Sequence, residues 1–164
     1  MILDLRELVV GVVKSVPFAY DFSDAELSDD LVSATVHVKG RAENHAGFLS
    51  LQGEARLTGM ARCGRCCKEF PCELTFPLSY KLAETLSGDD EEEFLLLEDG
   101  KLDLSEVVCD QIVMEMPYRF LCREDCKGLC PKCGKNLNQG DCGCVVKEVD
   151  PRLAVLQKFL DSKK

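Results

Sequence analysis

Residues 121–144 read LCREDCKGLCPKCGKNLNQGDCGC: six cysteines, three leucines and no other large apolar side chain. Such a stretch cannot bury enough apolar surface to offset the entropy of ordering itself. If it folds, something other than a hydrophobic core must hold it. Clustered thiols supply that alternative, because four thiolates close a tetrahedral shell around zinc and the metal-binding free energy becomes folding free energy.

The spacing of the thiols sharpens this reading. Pairs separated by one to three residues are Cys63/Cys66, Cys122/Cys126, Cys130/Cys133 and Cys142/Cys144, and each offers half a tetrahedron. Cys130-Pro-Lys-Cys133-Gly has the form of a zinc knuckle, in which proline fixes the entry and glycine lets backbone amides turn towards sulfur. The first expected site is therefore Cys130, Cys133, Cys142 and Cys144, with Cys126 in reserve because Cys142-Gly-Cys144 is a tight second pair. The two pairs left over, Cys63/Cys66 and Cys122/Cys126, form a second expected site that ties a strand end to the cysteine-rich tail. Zinc is the expected cofactor, two ions or at least one. A buried strand-end pair or a redox C-x-x-C are the rival readings of Cys63/Cys66. The redox motif should open a helix after a strand, whereas residues 67–71 head back into a strand. Cys109 reads as a small hydrophobe in a helix, Cys67 as an ordinary thiol or substitute ligand, and Cys72 as an ordinary thiol. His37 and His45 have no motif around them.

The eleven cysteines are an odd number, and residues 1–15 lack the pattern of a secretory signal. Clustered thiols in a reducing compartment are metal ligands more often than disulfides, so the expectation is a soluble cytoplasmic protein without a membrane span. The net charge of −9 conceals an asymmetry: residues 1–118 carry 10 Lys/Arg against 23 Asp/Glu, and residues 119–164 carry 10 against 6. An acidic body repels a polyanion; the tail need not. Arg123, Lys127, Lys132 and Lys135 are the candidate contacts to RNA or to a partner. Together with Arg62, Arg65 and Lys68 they also suit the screening of doubly negative zinc–thiolate centres.

Elsewhere, residues 16–22, 31–38, 47–57 and 73–82 alternate apolar with polar side chains and predict strands, with a hairpin loop at residues 44–47. Residues 87–93 (SGDDEEE) read as a solvated acidic loop. Residues 103–116 predict the best helix: Asp103 caps it, Leu104, Val108, Ile112 and Met116 repeat every fourth residue, and Pro117 ends it. A short terminal helix is expected over residues 151–160. The predicted class is α+β: an antiparallel sheet packed by a helix (1–119), a zinc-binding segment (120–148) and a C-terminal helix (149–164). All-cysteine ligation leaves no open metal position. The chain also lacks a nucleophile elbow, a phosphate-binding glycine loop and the zinc-deaminase pattern. Neither an enzyme nor a binder of small-molecule substrates is expected.

Around Arg62–Cys66, through residues 121–138 and on through Cys142-Gly-Cys144 and Asp150-Pro-Arg-Leu153, the chain resembles the YceD family, the large ribosomal RNA subunit accumulation proteins. Leu3-Asp-Leu-Arg-Glu-Leu8 fits as well. The resemblance implies metal binding, nucleic-acid binding and a role in accumulating or processing large-subunit ribosomal RNA, as assembly work rather than chemistry. Two functions follow as expectations. One is a factor whose zinc-ordered tail contacts ribosomal RNA or a precursor particle. The other is an adaptor whose acidic body holds a ribosomal protein or a processing enzyme.

Overall fold

The computed structural model describes residues 1–23, 27–85 and 94–144. The acidic loop at 87–93 and the expected terminal helix at 151–160 lie outside them. Two compact units are present: Met1–Gly64 with Lys68–Cys122, and Arg65–Cys67 with Arg123–Lys164.

In the first unit the elements run β1 (Ile2–Asp4), α1 (Arg6–Val9), β2 (Ser15–Phe22), β3 (Leu31–His45), β4 (Phe48–Arg62), β5 (Glu69–Ala83), β6 (Phe94–Leu96), β7 (Lys101–Asp103) and α2 (Leu104–Glu115). Strands β2 to β6 form one sheet in sequence order, and β1 pairs with β7 in a two-stranded ribbon. The period-two pattern explains the sheet. Ala34, Val36, Val38 and Ala42 on β3, and Leu51, Ala55, Leu57 and Ala61 on β4, all turn to one buried face. Register keeps them together, with Val36 opposite Leu57, Val38 opposite Ala55 and Ala42 opposite Leu51. The hairpin that sets this register is a two-residue turn, Ala46–Gly47, with φ of 54° and 93°. Positive φ at both positions gives the backbone twist that joins antiparallel strands most tightly.

The opposite face is solvated and laddered with charge. Lys39 pairs with Glu54, Arg56 with Glu73 and Arg62 with Glu69 across neighbouring strands, and His37 with Asp21. On β5, Pro71 and Pro77 lie along an edge that β6 covers only at Lys81–Ala83. A proline has no N–H to offer a stray strand, so these two residues blunt that edge.

Helix α2 packs on the buried face through Leu104, Val108 and Ile112, each fully buried. Its N-terminus is capped as expected by Asp103, whose carboxylate accepts from the Ser105 N–H. Met116 turns to an extended ψ of 137° before Pro117, the conformation that proline imposes on its predecessor. Two tyrosines set the helix across the sheet: the Tyr20 hydroxyl on β2 donates to the Leu104 carbonyl at 3.2 Å, and that of Tyr80 on β5 donates to Gln111. The expected α+β class holds only loosely. The expected sheet and helix are present, but the strands run well beyond their predicted ends, and the described structure is mainly sheet.

The described residues of the second unit have almost no regular structure beyond a 3-10 turn at Leu137–Gln139. Among its described residues, the buried positions are Cys66, Cys126, Gly128 and Cys130. Three are cysteines, and none is an aliphatic or aromatic side chain.

Candidate metal centre

The loop at Cys130 is a knuckle in three dimensions. The Cys130 N–H donates to the Lys135 carbonyl at 2.8 Å, and the Gly134 N–H donates to the Cys130 carbonyl at 2.9 Å. This closure aims the Lys132 N–H at the Cys130 sulfur, 3.4 Å away. Gly134 takes φ of +72°, which lets the chain reverse immediately after Cys133. A bridge between Leu129 and Asn136 clamps the base of the loop, and the Lys135 ammonium donates to the Asp141 carbonyl at 3.0 Å, drawing in the segment that carries Cys142. As a result the sulfurs of Cys130, Cys133, Cys142 and Cys144 all lie within 4.8 Å of one another.

The sulfurs of a second quartet, Cys63, Cys66, Cys122 and Cys126, likewise lie within 4.8 Å of one another. The Cys63 loop repeats the knuckle: the Cys63 N–H donates to the Lys68 carbonyl at 2.9 Å, the same five-residue closure as from Cys130 to Lys135. Cys67 stands where the other loop has Gly134, and it takes the left-handed φ of 56°. A glycine at that position would have marked both loops as one motif; a cysteine hides the likeness in the sequence.

Two residues outside the cysteine pattern organise the second unit. Arg65 donates from one guanidinium nitrogen to the carbonyls of Glu124 (3.2 Å) and Cys126 (2.9 Å), while its own carbonyl accepts from the Leu129 N–H at 3.0 Å. Asn138 does more with one side chain. Its carbonyl oxygen accepts from Arg123 at 2.6 Å and from the Lys127 N–H at 2.8 Å. Its amide nitrogen donates to the Cys126 sulfur at 3.3 Å and to Asn136 at 2.8 Å. Sequence reasoning assigned Arg65 to charge screening and passed over Asn138, because neither contact follows from spacing.

The electrostatics pose a problem that a cation resolves. N–H groups of Cys133 and Lys132 bring the Cys130 thiol down to about 6. The Cys144 thiol is pushed up to about 12 by hydrogen bonding with Cys133 and Cys142. Thiols this close cannot all ionise unless a positive charge sits among them. A tetrahedral metal–sulfur distance of about 2.3 Å sets sulfur–sulfur edges of about 3.8 Å. Sulfurs that all lie within 4.8 Å of one another, as in both quartets, are compatible with such a shell. Four sulfur donors with no histidine or carboxylate suit zinc or another thiophilic ion and leave no position for a reacting water.

Of the other candidate residues, Arg123, Lys127, Lys132 and Lys135 are all exposed in the second unit. Arg123 and Lys135 make the internal contacts given above, and Arg123 also pairs with Asp125 at 3.4 Å. Cys67 is exposed, Cys72 and Cys109 are half-buried, and burial pushes the Cys72 thiol up. His37 and His45 each meet a carboxylate, Asp21 and Glu43. Among the described residues no helix is long and apolar enough to cross a membrane.

A mainly β protein bearing two four-thiol groups built on matching C-x-x-C loops is, by class, a cysteine-cluster protein with the geometry of a metal binder. Residues 51–160 match the family model described as large ribosomal RNA subunit accumulation protein YceD, and the chain belongs to that family. Similar proteins include the uncharacterized protein Rv2926c of Mycobacterium tuberculosis, 29% identical over 73% of this chain and 59% of the relative. Uncharacterized YlbN of Bacillus subtilis is 28% identical over 76% of this chain and 74% of its own. The chloroplastic large ribosomal RNA subunit accumulation protein YCED homolog 1 of Arabidopsis thaliana is 38% identical over 30% of this chain and 16% of its own. The chain thus spans about three fifths (59%) of the mycobacterial relative's length. No solved structure matches it.

Proposed function

We propose that this chain is a non-catalytic zinc-binding factor in the accumulation of large-subunit ribosomal RNA. It acts in the cytoplasm and contacts the RNA or a precursor particle through the segment that zinc orders, residues 120–148. The observation that carries this reading is the presence of two all-cysteine quartets in a chain of the YceD family. The ligands are Cys130, Cys133, Cys142 and Cys144 at one ion, and Cys63, Cys66, Cys122 and Cys126 at the other. Closed thiolate shells give structure rather than Lewis acidity, so the work of the protein is binding. Lys127 and Lys132 are the better RNA contacts, because Arg123 and Lys135 already hold the fold of their own segment.

Metal analysis of the native protein tests the first part, and two zinc ions per chain is the expected result. For the second part, Lys127→Ala with Lys132→Ala should weaken binding to large-subunit ribosomal RNA. The slope of log affinity against log salt should flatten by roughly one per phosphate contact removed. A metal-free native protein, or RNA affinity indifferent to both lysines, would contradict the proposal.

A further inference from the structure

Two groups of carboxylates among the described residues of the first unit differ in their surroundings. On the open face of the sheet, Glu54, Glu69 and Glu73 each have a basic partner on the neighbouring strand. Around a groove between α2 and the ribbon formed by β1 and β7, the pattern is reversed. Glu98, Asp99, Glu106 and Asp110 line it, and none of the four has an ion pair among the described residues. Asp103 is engaged as the helix cap and by the Met1 ammonium at 3.2 Å, and Lys101 also lines the groove.

The groove is not merely acidic. Its walls include Ile2, Leu95, Leu96 and Val107, of which Ile2 is 67% and Leu96 49% exposed. Its volume of about 600 Å³ has room for several side chains rather than a single ion. Apolar surface left in water beside unneutralised carboxylates is unfavourable on both counts, and one kind of ligand relieves both. Phosphate-bearing RNA is repelled by the rim. A second copy of this chain, at net charge −9, is repelled as well.

We propose that this groove docks a lysine- and arginine-rich polypeptide segment carrying apolar side chains, supplied by a protein partner. The cations face Glu98, Asp99, Glu106 and Asp110, and the apolar side chains cover Leu96 and Val107. The surface lies wholly in the first unit and does not depend on metal or RNA binding.

The test titrates the full-length, metal-loaded protein against a short fluorescein-labelled peptide of lysine and arginine with interspersed leucines, read by anisotropy. Binding should weaken with salt. It should fall about tenfold when Glu106→Gln and Asp110→Gln are combined, since rim charges each contribute modestly. The pair Glu54→Gln and Glu73→Gln, which removes the same charge from the sheet's open face, should leave affinity unchanged. A peptide with serine in place of leucine should bind more weakly to the unaltered protein, so the apolar part of the proposal is tested without any variant that could misfold. Equal losses from the two glutamine pairs would reduce the effect to net charge and overturn the proposal. So would equal affinity for the leucine-free peptide, or self-association that Leu96→Ser abolishes.

Discussion

Cys67 sits in a conformation that suits glycine. A left-handed φ costs a residue with a side chain about 1–2 kcal/mol, and Cys67 holds φ of 56° at an exposed position after the Cys63–Cys66 loop. Cys67→Gly removes that strain and raises the entropy of the unfolded chain, terms that partly cancel. A net stabilisation of up to about 1 kcal/mol is expected in chemical denaturation of the metal-loaded protein. Bound zinc should stay at two; a drop would identify Cys67 as a ligand instead. Asn138 makes the opposite prediction. Its amide supports the Cys126 sulfur, the Lys127 N–H and Arg123 simultaneously. Hydrogen-bond partners of metal ligands commonly matter by about 10–100-fold in affinity. Asn138→Ala should weaken one of the two zinc sites by that factor in competition with a chromophoric chelator. Equal affinity in the variant would show that the amide merely fills space.

At the scale of elements, α2 closes the buried face of the sheet, and Ile112 is fully buried at that contact. Ile112→Ala removes its buried methyl and methylene groups and leaves a cavity, at a cost of about 2–5 kcal/mol. Urea unfolding followed by far-UV circular dichroism should show a lower midpoint with an unchanged slope. A loss below about 0.5 kcal/mol, typical of surface sites, would mean that the helix is not seated as described. That helix and the four longest strands were legible in the sequence because long segments declare their period. Leu104, Val108 and Ile112 recur every fourth residue, and β3 and β4 alternate through most of their fifteen residues. Strands β1, β6 and β7 have three residues each and show no period. Their pairings, β1 with β7 and β5 parallel to β6, come from tertiary contact. The grouping of sulfurs was legible from spacing and elimination. The kinship of the two knuckles was not, since it resides in backbone closure and Cys67 occupies the glycine position.

Across the whole molecule, the described residues of the two units differ in what they bury. The hydrophobic core of the first unit contains no member of either cysteine quartet. Its stability rests on apolar burial, roughly 1.5–3 kcal/mol for each large aliphatic side chain removed from water. The described part of the second unit buries cysteines and a glycine and little else. With zinc in both quartets as proposed, metal coordination supplies its folding free energy, about 10–16 kcal/mol for a structural zinc site in small peptides near neutral pH. Removing zinc with a strong chelator should therefore separate the two. In hydrogen exchange, amides of residues 123–144 should lose protection within the dead time. Those of β3 and β4, whose partners are one another along fourteen paired positions, should stay protected for far longer. Readdition of zinc should restore the first set. If both units lost protection together, the sheet would depend on the metal as well. If residues 123–144 kept theirs, the tail would have a source of order that its sequence does not contain.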